Sequence, residues 1–366
     1  MERNLTCNTC GCLMDCGEVY YIEDIPLCRE CFNNRTAECE CCGRRIWRED
    51  NAGDNFSYLC QSCYNSYYST CDHCGIVVHQ DDLYSDEDGD YSYCHDCWVE
   101  INRYQIIHDY SYKPDPIFYG NKDRFMGVEL EIDQGGCDKH TAKTLLDLAN
   151  QKEPLIYIKT DGSLDNGFEI VTHPMTLDYH QNYMPWEALC RKALSLGYYS
   201  HKTGTSGLHV HVNRNSFGNT KLEQEDVISR ILHFVETFWN EMLCFSRRTE
   251  SQMNRWAARY GRKETPKQTL YHAKNNALGR YACVNLTNRN TIEFRMFRGT
   301  LKYNTIIATL QMVDEICSVA VSMSDSEMDK LSWSSFVSKI SYPELIAYLK
   351  ERNLYINDPV ECEEEY

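Results

Sequence analysis

Long apolar runs are missing from this chain. No stretch approaches the roughly 20 apolar residues that a membrane span needs, so no membrane partner is expected. The chain opens Met1-Glu2-Arg3-Asn4 and reaches a cysteine pair without an apolar segment, unlike a secretory leader. The expected setting is cytoplasmic and reducing, where paired cysteines favour metal over disulfide; oxidised pairing is the alternative. Basic charge is scarce at this end: residues 1–121 carry 8 Lys/Arg against 22 Asp/Glu, within a net charge of -17 for the whole chain. Binding to phosphate backbones needs clustered positive charge, so no nucleic-acid partner is expected. A Walker-type loop is also absent, so a bound nucleotide would have to rest on some other surface.

What is abundant is cysteine, with 15 of the 21 in the first 97 residues. Cys7-x2-Cys10, Cys39-x2-Cys42 and Cys71-x2-Cys74 open three units 32 residues apart, each pair followed by glycine. Cys28-x2-Cys31, Cys60-x2-Cys63 and Cys94-x2-Cys97 close them, each pair followed by an aromatic. CxxC pairs separated by 17–19 residues have zinc spacing, and three repeats of it make the pattern specific. A unit this short buries too little apolar surface to fold alone. A tetrathiolate zinc supplies about 10–16 kcal/mol, so about three structural Zn²⁺ ions are expected, with no catalysis there. The pattern resembles treble-clef and LIM-like fingers. Cys12, Cys16, Cys41, His73 and His95 are competing ligands, and Tyr20, Tyr21, Trp47, Phe56 and Tyr58 either meet a protein partner or pack around the metals.

The domain reading is three zinc units over residues 1–98 (about 7–31, 39–63 and 71–97), a helix and Pro-rich linker over 99–121, a second domain over 122–355, and an acidic, solvated tail over 356–366. In the second domain, strands are expected at 125–133, 155–159, 167–173, 207–213, 281–287 and 291–298. Helices are expected at 141–151, 186–196, 222–246, 305–323 and 343–352. Half-polar strands of period two imply an α+β layout, an antiparallel sheet with helices on one side.

Four of these strands carry charge on one face and aliphatics on the other. Glu129 shares a face with Glu131, His209 with His211, and Glu293 with Arg295, while Glu169 lies in a fourth strand. Carboxylates two apart on a strand sit about 7 Å apart and repel by about 2 kcal/mol. Glutamates with imidazole are the donor set of hard divalent cations. Asp161 lies in a turn eight residues before Glu169, Gly204–Gly207 gives a flexible approach to the histidines, and Arg280, Arg295 and Arg298 supply planar donors for phosphate or carboxylate.

The motif order carries a further likeness. Gly127-Val128-Glu129-Leu130-Glu131, Asp161-Gly162-Ser163-Leu164, Glu169-Ile170-Val171-Thr172-His173-Pro174, Gly207-Leu208-His209-Val210-His211 and Arg280-Tyr281-Ala282-Cys283-Val284-Asn285-Leu286 occur in that order, and the run from Thr291 to Leu301 is the most specific. Together they resemble the amidoligase family over residues 122–325, a group of carboxylate–amine ligases with a glutamine-synthetase-like fold. The resemblance implies that ATP phosphorylates a substrate carboxylate and that an amine then attacks the acyl phosphate, with Mg²⁺ or Mn²⁺ offsetting charge. It implies that Glu129 and Glu131 bind separate metals, with Asp161 and Glu169 completing one site and His209 joining Glu129 and Glu293 at the other. It also implies His211, Ser163 and Arg298 near the nucleotide, and Arg280, Arg295 and Glu293 in catalysis. Glutamine synthetases place glutamate where Asp161 stands, a departure here. The substrates implied are a carboxylate and an amine, with a protein or peptide recruited by the zinc units as one form.

Two other classes compete: a metal-dependent hydrolase built on His209, His211 and the glutamates, and a non-catalytic adaptor. Cys283 and Ser163 invite a nucleophile reading, but no base is placed beside either, and both read as structural.

Overall fold

The computed structural model describes residues 5–14, 18–85, 90–102 and 105–355, so Cys16 and the acidic tail lie outside the described residues. It divides into one unit of residues 1–104 with 111–113, and another of residues 105–110 with 114–366.

In the first unit, each cysteine repeat builds the same pieces. A short hairpin carries the opening pair: Leu5–Thr6 with Leu13–Met14, Thr36–Glu38 with Arg45–Trp47, and Tyr68–Thr70 with Val77–His79. A helix starts at the closing pair: Arg29–Arg35, Gln61–Tyr67 and His95–Asn102. The expected helix after residue 98 therefore begins earlier, because the closing cysteines lie in its first turn. Gly11, Gly43 and Gly75 follow the opening pairs at φ 72°, 73° and 78°, the left-handed region that glycine enters without strain. Few apolar side chains are buried in each repeat: Met14, Ile22 and Leu27 in the first, Ile46 and Leu59 in the second.

The second unit is built on a six-stranded antiparallel sheet. Its strands are β1 (Met126–Ile132), β2 (Ile156–Lys159), β3 (Phe168–Thr172), β4 (Gly207–Asn213), β5 (Val284–Asn285) and β6 (Thr291–Arg298), in the order β2-β3-β1-β4-β6-β5. Alternation sends Val128, Leu130 and Ile132 of β1, with their counterparts Ile170, Val210 and Phe294, into one apolar cluster. Helices α1 (Lys139–Ala149), α2 (Trp186–Ser195), α3 (Lys221–Thr237), α4 (Trp239–Ser246), α5 (Tyr303–Ser322) and α6 (Pro343–Glu351) contribute their apolar faces to the same cluster. The other sheet face keeps the charges.

Three expectations need correction. The single helix over 222–246 is two, α3 and α4, because Phe238 leaves helical geometry at φ -101°, ψ 36° while its ring stays buried. The strand over 281–287 shortens to β5, since residues Gly279–Tyr281 form a 3-10 turn. The absence of any apolar stretch of spanning length does not hold either: α5 is 20 residues long and apolar enough to cross a membrane by length and composition, with 67% of its apolar window buried inside the unit. Its central position in the core explains that composition.

Within this core, His180 is fully buried, with Nε2 2.9 Å from the Met126 carbonyl and Nδ1 accepting from the Trp186 indole at 3.4 Å. Burial pulls its pKa down to about 4, so the ring is neutral in the folded state. The unfolded chain takes up a proton near pH 6.5, before the folded one does. Stability present above pH 6.5 is therefore lost as pH falls toward 4, by about 3 kcal/mol at this residue. We expect the stability gap between wild type and His180→Asn to narrow over that window. A gap independent of pH would contradict a neutral buried His180.

Candidate functional site: two kinds of metal centre

The three cysteine sites assemble as the spacing predicts. Cys7, Cys10, Cys28 and Cys31 bring their sulfurs within 4.8 Å of one another, as do Cys39, Cys42, Cys60 and Cys63, and Cys71, Cys74, Cys94 and Cys97. Sulfurs about 2.3 Å from a tetrahedral zinc lie about 3.8 Å apart. Across the two pairs the sulfurs are 3.8 Å (Cys10–Cys28), 3.9 Å (Cys42–Cys60) and 3.6 Å (Cys74–Cys94) apart, so the residues fit Zn²⁺. Burial works against the thiolates of Cys7, Cys39 and Cys71, yet backbone N–H groups from both turns bring each pKa down to about 6, ready for metal. Of the competing ligands, His73 places Nδ1 3.3 Å from Cys97 Sγ, beside the third site.

The second site lies on the charged sheet face, and strand register builds it. β1 runs between β3 and β4, so Glu131 sits opposite Glu169 and Glu129 opposite His209, while His211 pairs with Glu293 on β6. An irregularity between β4 and β6 sets one residue, His209, against two, Arg295 and Met296. That bulge lets Met296 and Phe297 both enter the core and still keeps Arg295 beside Glu293.

Donor sets that share a residue result. Glu129, Glu169 and His209 place ligand atoms within 4.8 Å of one another, and so do Glu129, His211 and Glu293; Glu129 belongs to both. His209 Nδ1 is 3.3 Å from Glu129 and 3.7 Å from Glu293, while its Nε2 is 3.9 Å from Glu131. His211 Nε2 is 3.2 Å from Glu129 and 3.9 Å from Glu293. The resemblance placed His211 toward a nucleotide; here it stands with the carboxylates. Both sets mix carboxylate and imidazole and fit divalent cations.

Electrostatics divides the carboxylates. Glu169 is buried, and burial together with the charges of Glu129 and Glu131 pushes its pKa well up. Burial also raises Glu131, whose carboxylate accepts from the Gly207 N–H. For Glu129, burial is outweighed by His211 and Lys159, which hold its pKa well below the usual range. For Glu293, burial opposes ionisation but His211 prevails and lowers it, with Asn285 donating at 2.8 Å and Asn288 at 3.2 Å. Asp161 lies in its turn with Oδ1 accepting from the Ser163 N–H at 2.7 Å, and it reaches Glu131 and Glu169 through charge. Arg280 is exposed and bonds the hydroxyls of Tyr110 and Tyr281. Arg298 pairs in register with Gly207, at the end of β6. Cys283 is buried and its thiol is pushed up by burial, which suits a core residue.

Sequence reasoning passed over two groups. Lys159, the last residue of β2, places Nζ 3.1 Å from Glu169 and 3.9 Å from Glu129. Burial disfavours its ammonium, but Glu169 and Glu129 outweigh burial and raise its pKa. Alternation along Ile156-Tyr157-Ile158-Lys159 sets Lys159 on the face opposite Ile156 and Ile158, which was a usable signal. Tyr110 lies in the stretch expected as linker; its neighbour His108 bridges to Lys159, and its ring sits 5.4 Å from Nζ. Removing Lys159 leaves the buried Glu169 carboxylate and the half-buried Glu129 without their shared cation. Lys159→Met should lower metal-free stability of this unit by about 3–5 kcal/mol, and Mg²⁺ should restore part of it. Equal melting of variant and wild type without metal would show that the ammonium does not hold the pair.

Gly207 has a positional reason. A Cβ there would fall 2.6 Å from His209 Nε2 and 2.7 Å from an Arg248 nitrogen. Asp133, just beyond β1, accepts from the N–H groups of Gln134, Asn166 and Asp165 and from Thr205, tying β1 to the loops that enter β3 and β4.

Comparison with known proteins adds a family. A family model described as "Putative amidoligase enzyme" matches residues 130–317, half of the chain. No curated protein matches. Similar solved structures include a bifunctional glutathione synthetase from Pasteurella multocida (13% identity, TM-score 0.34, covering 63% of this chain and 46% of that one). Another is the complex between the prokaryotic ubiquitin-like protein Pup and its ligase PafA (8% identity, TM-score 0.31, covering 63% and 62%). The chain thus spans less than two thirds of the length of either.

Proposed function

Since the chain belongs to the amidoligase family of amide-forming ligases, we propose that its charged sheet face joins a carboxylate to an amine at the expense of ATP. The observation that carries this is the pair of donor sets sharing Glu129. Two adjacent cation sites suit a reaction in which a carboxylate oxygen attacks the γ-phosphorus of ATP. ADP leaves, the amine attacks the acyl carbon, and inorganic phosphate leaves as the amide forms.

Divalent cations supply charge neutralisation for the phosphates when bound. Glu129, Glu131, Glu169, His209 and Glu293 hold and separate those charges, and Asp161 adds negative charge behind Glu131 and Glu169. Arg295, fixed by its bond to Glu293, and Arg280, fixed by Tyr110 and Tyr281, face the transferring phosphoryl group. His211, beside Glu129 and Glu293, joins them in holding a cation.

An acid labelled with ¹⁸O in its carboxylate tests the route. Acyl-phosphate chemistry moves one ¹⁸O into the released inorganic phosphate. Metal-dependent turnover of an amide with no ATP consumed would instead establish the hydrolase reading.

The acidic zinc units recruit the substrate in this proposal, as a protein or peptide. Because residues 105–110 belong to the second unit, the deletion that tests recruitment stops at residue 104. Recruitment predicts a raised KM on the native substrate with kcat kept; unchanged KM would reject it.

A further inference from the structure

Beside the carboxylate–histidine cluster lies a cavity of about 420 Å³ lined by Arg247, Arg248, Arg298, Arg352 and His201. No carboxylate lines it among the described residues. A neighbouring cavity of about 430 Å³ shares His201, Arg247 and Arg352 and adds Lys202 and Lys302; its one acid, Glu351, is taken by Lys302 at 2.8 Å. Four guanidinium groups thus converge, and the Glu131 carboxylate, acting on Arg248 through charge, offsets them only in part.

They are held in place by neutral groups. Arg247 donates to the carbonyls of Arg298 and Gly299 and lies 3.2 Å from His201 Nδ1. Arg248, 9% exposed, donates to the Phe297 carbonyl at 3.3 Å, and Arg352 donates twice to the Cys244 carbonyl, at 3.1 and 3.0 Å. The buried Nε groups of Arg247, Arg248 and Arg298 have no hydrogen-bond partner. Burial, with the neighbouring guanidiniums, outweighs the Glu131 charge and lowers the pKa of Arg248 to about 10; burial likewise outweighs Tyr348 and lowers Arg247, and burial with Arg298 and Arg247 lowers His201. Unpaired buried charge is costly and persists where a ligand supplies the counter-charge. Arg guanidiniums match carboxylate and phosphate in shape and donor geometry.

Position gives the cavity its role. The Arg248 guanidinium lies against Gly207 beside His209, because a Cβ on that glycine would touch both. The arginine cavity and the cluster therefore adjoin at Arg248 and Gly207. We propose that this cavity binds an oxyanion group of the acid substrate remote from the carboxylate that reacts, so that the substrate is a di-acid bearing a second carboxylate or a phosphate. The proposal rests on the ligase reading for the reacting end alone.

The test titrates the full-length, zinc-loaded protein without divalent cation or ATP, at constant ionic strength. The probes are inorganic phosphate and glutarate, with acetate as the monoanion control. Saturable binding of phosphate or glutarate, weakened about tenfold in Arg352→Gln, is the expected result, and the better of the two probes identifies the second group. Arg247→Lys gives a second variant that keeps a cation, should loss of the Cys244 contacts unfold the first. Binding no better than acetate, or equal binding by both folded variants, overturns the assignment. Displacement of phosphate by metal-free ATP with equal loss of ATP binding in the variants also overturns it, since the cavity would then serve the nucleotide. Metal-dependent ATP binding is absent from this assay, so the cavity and the ligase reading fail separately.

Discussion

Glu129→Gln should reduce ligase turnover by about 10²–10³-fold or more while leaving the metal-free fold intact. Glu129 is the one carboxylate common to both donor sets, so its loss weakens two cation sites at once. The same change relieves Glu169 but takes the charge partner from His211 and Lys159, so the metal-free second unit should melt below wild type yet still cooperatively. ADP formation and melting, measured on one preparation, check both halves. Lost activity with a collapsed melting transition would assign Glu129 a structural role. Full activity would place the metals elsewhere.

Stripping zinc is expected to unfold the cysteine repeats and leave the sheet domain standing. Each repeat buries only a handful of apolar side chains beside its sulfurs, whereas the second unit buries one large continuous cluster. Metal binding of about 10–16 kcal/mol per site is then nearly all of a repeat's folding energy. A strong chelator should release three Zn²⁺ per chain and open the region before residue 104 to protease, with the melting of the second unit unchanged. Protection that survives zinc removal and is lost to a reductant would point to disulfides.

The cysteine repeats and the charged strand faces were legible because both depend on local periodicity. CxxC spacing fixes which sulfurs share a turn, and alternation fixes which side chains share a face. Strand order was not legible: nothing local says that β1 lies between β3 and β4, which is what brings Glu131 to Glu169 and Glu129 to His209. The break at Phe238 was hidden because its burial satisfies helical periodicity even as its backbone leaves the helix. Lys159 escaped because a lone lysine at a strand end looks solvated until its neighbours are known. The arginine cavity is more remote still, drawing on the α4 end, the β6 end and the end of α6.

The most direct measurement is the melting of the intact, zinc-loaded protein with Mg²⁺ and ATP, in wild type and Glu129→Gln. A ligand at a hundredfold excess over Kd adds about 2.7 kcal/mol to the state it binds. The expected result is a rise in the second unit's transition that needs both Mg²⁺ and ATP and disappears in the variant. An unchanged transition in wild type, or an equal rise in Glu129→Gln, would contradict nucleotide binding on this sheet face.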